Sequence, residues 1–144
     1  MTGQTETAGA VAERIVNSQA AKATMRITKA LADIQRVRIL LLLRNGELCV
    51  CQIVEVLALA PSTISKHLAL LSAAELVEVR KDGRWAYYRL PDGEAGESVR
   101  PLLQWLMQAL RGDETIEQDA RTLEAVLAVD AEEIARNQRA RARE

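Results

Sequence analysis

The sequence predicts a mainly α-helical fold interrupted by one β-hairpin (α+β), and three observations predict it. Apolar residues recur at helical spacing over much of the chain, as in "RVRILLLL" (Arg36–Leu43) and "ISKHLALL" (Ile64–Leu71). Phe is absent and aromatic residues make up only 3% of the chain, so the core is built from Leu, Ile, Val and Ala, which suits helices packed through aliphatic ridges. The β-rich runs are "LVEVRK" (Leu76–Lys81) and "RWAYYRL" (Arg84–Leu90), and the Asp82-Gly83 between them is among the best short-range hairpin signals.

Residues 1–9 read as a disordered lead, followed by a helix from Ala10 to about Lys22 and a second over Thr24–Asp33. Gln35–Gly46 is a buried helix, closed by Arg44 in its last turn and Asn45-Gly46 beyond it. Cys51–Leu57 is helical, Ala58–Ala60 is a tight connection, and Pro61 fits the first position of the next helix, where its missing N–H costs nothing. In Pro61–Leu71, a rotation of about 100° per residue puts Ile64, Leu68 and Leu71 on one core-facing stripe. Ser62, Lys66 and Ala69 point the opposite way, flanked by Thr63 and Ser65, and no carboxylate occurs from Pro61 through Ala74. Two short helices joined by a three-residue turn, the second with a small, polar, basic outer face, form a helix-turn-helix. The hairpin that follows is tipped by Arg80, Lys81 and Arg84, which makes it a wing.

Asp92–Gly96 is a linker, and Ser98–Leu110 then presents a broad apolar face of Leu102, Leu103, Leu106, Met107 and Leu110. A last helix over about Glu114–Asn137 carries Ile116, Ala120, Leu123, Leu127 and Ile134 at helical spacing. The first reads as a dimer helix and the second as packing on it or on its mate; the alternative is a lid over the same chain. The expected organisation is therefore a lead at 1–9, a winged helix-turn-helix domain at 10–92 and dimerisation helices with an extension at 93–144.

At 144 residues one domain is the default. The longest apolar run, Ile39–Leu43, is far too short to span a bilayer, and no signal peptide is visible. With two cysteines and no disulfide framework, a reducing cytoplasm is expected. The net charge of −1 hides an asymmetry: Arg14–Arg89 holds twelve Lys and Arg against six Asp and Glu, whereas Leu90–Glu144 holds seven against twelve. A basic body with an acidic C-terminal part fits a nucleic-acid reader, although solvated helix faces would give the same count. Ser62, Thr63, Ser65 and Lys66 are expected in the DNA major groove, and Lys81 and Arg84 on phosphate or in the minor groove of double-stranded operator DNA.

Both thiols lie in "GELCVCQI" (Gly46–Ile53), one residue apart. A disulfide between them would close almost no loop, so the pair is better placed to hold a soft ion or to be oxidised as a unit.

These elements resemble the ArsR/SmtB family of metal-sensing winged-helix repressors, and within it the arsenic-responsive branch. The carrying segments are "ALADIQRVRILLLL", "ELCVC", "STISKHLALL" and "KDGRWAYYRL", which run in family order over roughly residues 24–91. The resemblance implies a cytoplasmic homodimer that blocks transcription from a two-fold operator and leaves the DNA when an inducer binds. It also places His67 at the groove margin. Val54 stands where the arsenic branch often has a third cysteine, Gln52 where an acidic residue is common, and Ala60 where a polar cap usually starts the recognition helix. With His67 the sole histidine, the zinc site of relatives that use a C-terminal histidine is absent.

Thiolates select soft ions, so Cys49 and Cys51 are the expected ligands of trivalent arsenic (arsenite, methylarsenite) or antimonite, with no permanently bound cofactor. Two sulfurs leave arsenite one open bond but satisfy methylarsenite fully. Residues i and i+2 of a helix point about 200° apart, so both thiols can meet one ion only where the start of the helix is, or becomes, non-helical. Chelation is then expected to distort the helix that supports the recognition helix. The competing reading is a thiol-redox or persulfide sensor using the same dithiol. An enzyme is not expected: Cys-x-Cys is not a reductase motif and no glycine-rich phosphate loop is present.

Overall fold

The computed structural model describes residues 5–144, so the first four residues of the expected lead lie outside the described residues. Eight α-helices and three short strands follow: α1 (Ala8–Val16), α2 (Gln19–Leu31), α3 (Ile34–Leu42), β1 (Leu48–Cys49), α4 (Val50–Leu57), α5 (Pro61–Ala73), β2 (Glu78–Asp82), β3 (Trp85–Arg89), α6 (Val99–Ala109), α7 (Glu114–Leu127) and α8 (Ala131–Ala142).

The core is aliphatic, as the composition requires. Ile39, Leu43, Ile53, Ile64, Leu68, Leu71 and Leu76 are fully buried, joining α3, α4 and α5 beneath the hairpin. The connection between α4 and α5 turns through Ala58, which adopts a left-handed conformation (φ 55°), and the two helices cross at 113°. That is the helix-turn-helix. The three strands form an antiparallel sheet in the order β1-β3-β2, with Val79 opposite Tyr88 and Asp82 opposite Trp85 across the hairpin. Gly83 takes positive φ (58°) at its tip, as the Asp-Gly turn demands. Leu48 and Cys49 pair with Tyr88 and Tyr87 on the other side of β3, so the wing is rooted in the segment that carries the first thiol.

Three expectations need correction. The helix expected from Ala10 to Lys22 is broken at Asn17-Ser18, because the Ser18 hydroxyl accepts the Ala21 N–H and starts α2 there. The helix expected over Glu114–Asn137 is two helices, because the Asp130 carboxylate accepts the Glu132 N–H and starts α8. The C-terminal helices pack chiefly on the body of the same chain, which is the alternative of a lid rather than packing on α6. α7 lies on α3 and α4, and α8 lies on α4. Arg38 on α3 and Asp119 on α7 form a bidentate ion pair at 2.8 and 2.9 Å, with Asp119 buried. No single helix among the described residues is long and apolar enough to cross a membrane.

Candidate nucleic-acid interface and thiol site

The recognition helix α5 presents the residues expected to read DNA on its open face. Ser62, Ser65 and Lys66 are exposed, and Thr63 and His67 are half-buried on the flanks. His67 Nδ1 lies 3.4 Å from the Arg36 guanidinium, which also donates to the Ala30 and Lys29 carbonyls at the end of α2. His67 thus joins the reading helix to α2 and α3. Pro61 occupies the first turn, and Ala60 supplies no side-chain cap, as its methyl group dictates. On the wing, Lys81 and Arg84 are exposed. Arg84 lies over the Trp85 ring at 5.4 Å and 3.6 Å from the Glu132 carboxylate. Arg80 is committed elsewhere: it pairs with Glu47 at 2.7 Å and covers the Tyr87 ring at 4.4 Å. This pairing holds the Glu47 carboxyl below its ordinary value and ties the base of the wing to the loop before β1.

The thiols meet at the junction of the wing sheet with α4. Cys49 is the residue immediately before the helix, with extended backbone (φ −72°, ψ 150°), while Cys51 lies in its first turn. The Cα atoms are 5.4 Å apart and the sulfurs are within bonding distance, a disulfide. Of the two uses expected of the pair, a soft-ion site or oxidation as a unit, the bonded sulfurs correspond to the second. An extended Cys49 brings the separation into the range a disulfide spans. With Cys49 non-helical, both sulfurs face one point while α4 stays intact. Gln52 accounts for its own place in the motif: its Oε1 accepts the Cys49 N–H at 2.9 Å and holds the first turn. Val54, at the position of the absent third thiol, is buried one turn further on.

Both cysteines are buried, Cys49 at 2% and Cys51 at 8% exposure. Cys51 is covered by α8, where the Ala131 carbonyl oxygen stands 3.7 Å from Sγ and Gln138 Nε2 donates to the Cys51 carbonyl at 2.8 Å. Sequence reasoning misses Ala131 and Gln138, because they lie about eighty residues away and carry no motif. Among the described residues no three His, Cys, Asp or Glu side chains converge as a metal site.

A helix-turn-helix followed by a basic-tipped hairpin defines a winged helix-turn-helix DNA-binding protein. The family model described as bacterial regulatory protein, arsR family, matches residues 33–79. The chain is 39% identical over 84 residues to the arsenic resistance transcriptional regulator ArsR2 of Pseudomonas putida KT2440, spanning 58% of this chain and 72% of that protein. It is 42% identical over 84 residues to ArsR1 of the same organism, a match spanning 58% of this chain and 65% of that relative's length. A solved homodimeric winged helix-turn-helix domain from Mycobacterium bovis, described as a possible ArsR-family transcriptional regulator, is 32% identical with a TM-score of 0.54, over 76% of this chain and 89% of that one. The chain belongs to the ArsR family of winged helix-turn-helix transcriptional regulators.

Proposed function

We propose that the protein is a cytoplasmic, metalloid-responsive repressor that binds operator DNA as a homodimer. It leaves the DNA when trivalent arsenic or antimony (arsenite, methylarsenite or antimonite) binds Cys49 and Cys51. Residues 10–92 read DNA and hold the thiols, and residues 93–144 supply the dimer contact and the helices behind the sensor. Ser62, Thr63, Ser65, Lys66 and His67 face the major groove or its margin, and Lys81 and Arg84 meet the DNA backbone or minor groove.

One observation carries the reading: the two sulfurs converge between β1, which pairs with wing strand β3, and the first turn of α4, which leads into the recognition helix. A metalloid bonded to both sulfurs fixes their separation and so ties the wing to α4 in one arrangement. A ligand that favours this arrangement over the DNA-bound one shifts the equilibrium away from DNA. The choice of ion is supported by the two Pseudomonas relatives, both arsenic resistance transcriptional regulators.

The test is an anisotropy titration of labelled operator with reduced protein. Cys49→Ser and Cys51→Ser should each keep operator affinity but lose release by arsenite and methylarsenite, because hydroxyl oxygen is a poor partner for trivalent arsenic. With no third thiol, methylarsenite should act at least as well as arsenite without glutathione. Release of the Cys51→Ser protein at wild-type arsenical concentrations would place the site elsewhere.

The bonded sulfurs favour a second reading, a redox switch. Peroxide would accept two electrons and two protons from the dithiol, leaving the disulfide and two waters. Operator release by peroxide but not by arsenicals would select it.

A further inference from the structure

Helix α8 meets the thiol site through polar contacts at both of its ends. Near its start, the Ala131 carbonyl oxygen stands 3.7 Å from Cys51 Sγ. Towards its end, Gln138 Nε2 donates to the Cys51 carbonyl at 2.8 Å and to Glu55 Oε2 at 3.0 Å, and Arg141 donates to the same carboxylate at 2.8 Å. These contacts hold the Glu55 carboxyl below its ordinary value.

Little else holds the helix down. Of its twelve residues Ile134 and Ala135 are buried, and beyond Gln138 an open groove of about 330 Å³ separates its last turn from α4 and the turn into α5, lined by Val54, Glu55, Leu59, Gln138 and Arg141. The helix before it is anchored differently: α7 buries Leu123, Val126 and the Asp119 end of the ion pair to Arg38. Segments with few buried apolar contacts open at lower free energy than the rest of a fold. Opening of α8 about the Ala128–Asp130 connection would thus disturb less packing than opening of α7. The thiols need such an opening, since at 2% and 8% exposure neither is open to a reagent in solution. Cys49 is further enclosed by its pairing with Tyr87 in the sheet.

We propose that α8 is an intramolecular gate over Cys51: docked on α4 it closes the thiol site, and lifted it admits the reagent that the site senses. The gate rests on the reading that Cys49 and Cys51 are the sensor, but its existence is separable from the identity of the inducer. Entry is then limited by the docking equilibrium of α8, and the first sulfur to react is Cys51.

The experiment is the rate of N-ethylmaleimide labelling of the reduced, full-length protein, with the labelled residue identified by peptide mass mapping. The wild type should label on the order of a hundredfold more slowly than the chain unfolded in guanidinium, and first at Cys51. Gln138→Ala with Arg141→Ala removes the α8 side of the contact, and Glu55→Ala removes the α4 side independently. Either variant should label Cys51 roughly five- to thirtyfold faster, as expected for losing two part-exposed hydrogen bonds (Glu55→Ala) or three (the double variant), with helix content by circular dichroism unchanged. Wild-type labelling near the unfolded rate, or unchanged rates in both variants, would overturn the gate. Operator release by arsenite and methylarsenite, read on the same proteins, separates the two ideas. Faster labelling with DNA still bound upholds the gate and removes the metalloid reading. Release by arsenicals with unchanged labelling removes the gate and upholds the metalloid reading.

Discussion

Cys49 is one residue outside a helix, and its chemistry follows from that position. Inside α4 its side chain would point away from Cys51; with φ −72° and ψ 150° it points to the same place. The spacing made the pair legible as a unit, but its convergence depends on where α4 begins, which the Gln52–Cys49 hydrogen bond decides. The Arg38–Asp119 ion pair was not legible at all, since its partners are 81 positions apart and only tertiary packing joins them. It nevertheless fixes α7, because Asp119 is 6% exposed and both its oxygens accept from the Arg38 guanidinium. Asp119→Ala would leave that guanidinium facing the core without its counterion. We expect a loss of about 2–3 kcal/mol, below the range for fully buried pairs because Arg38 retains some contact with water. Thermal denaturation followed by circular dichroism should show a drop in Tm of roughly 5–10 °C. An unchanged Tm would mean that α7 is held by its apolar residues alone.

Among the elements, the wing was the most legible, because an Asp-Gly turn between two β-rich runs leaves little choice of register. The breaks at Ser18 and Asp130 were harder to see, because good helix formers lie on both sides of each. The second did carry a signal: Asp130 followed by Glu132 and Glu133 is an acidic start that complements a helix dipole. The docking of α7 and α8 on their own chain was beyond pattern reading, since an apolar stripe shows that a face is covered but not by what. Glu132 brings α8 within 3.6 Å of Arg84, yet the pair is 68% and 56% exposed and so contributes little. Arg84 therefore remains available to DNA. Lys81→Ala with Arg84→Ala should weaken binding to operator and random duplex alike. The dependence of log K on log salt should flatten by roughly 0.9 per lost phosphate contact, about 1.8 per subunit. Titrations of both duplexes across a salt series measure this. Loss confined to the operator would mean that the wing reads bases.

At the scale of the whole molecule, a basic winged body and an acidic C-terminal part would divide the work under the proposed function, one facing phosphate and the other backing the thiol pair. One apolar face left open on this chain is the outer side of α6. Leu106 turns inward at 4% exposure, so of the apolar residues expected at a dimer contact it belongs to the core of the monomer. Trp105 and Met107 stay outside at 62% and 44%, and with Pro101, Gln104, Gln108 and Arg111 they line a shallow groove. A tryptophan left that exposed is the kind of anchor that protein interfaces use, and a two-fold dimer would bury it twice. Dimerisation also governs affinity: a winged domain on one half-site binds weakly, whereas two linked domains gain the second contact at high effective concentration. Trp105→Glu tests this without disturbing the core, as Leu106→Glu would not. Sedimentation velocity should shift from dimer to monomer, and operator affinity should fall by roughly a hundredfold or more, while affinity for a single half-site stays the same. A variant that remains a dimer with full operator affinity would exclude the outer face of α6 from the interface and direct attention to Ile15, Val16 and Met25, the exposed apolar residues of α1 and α2.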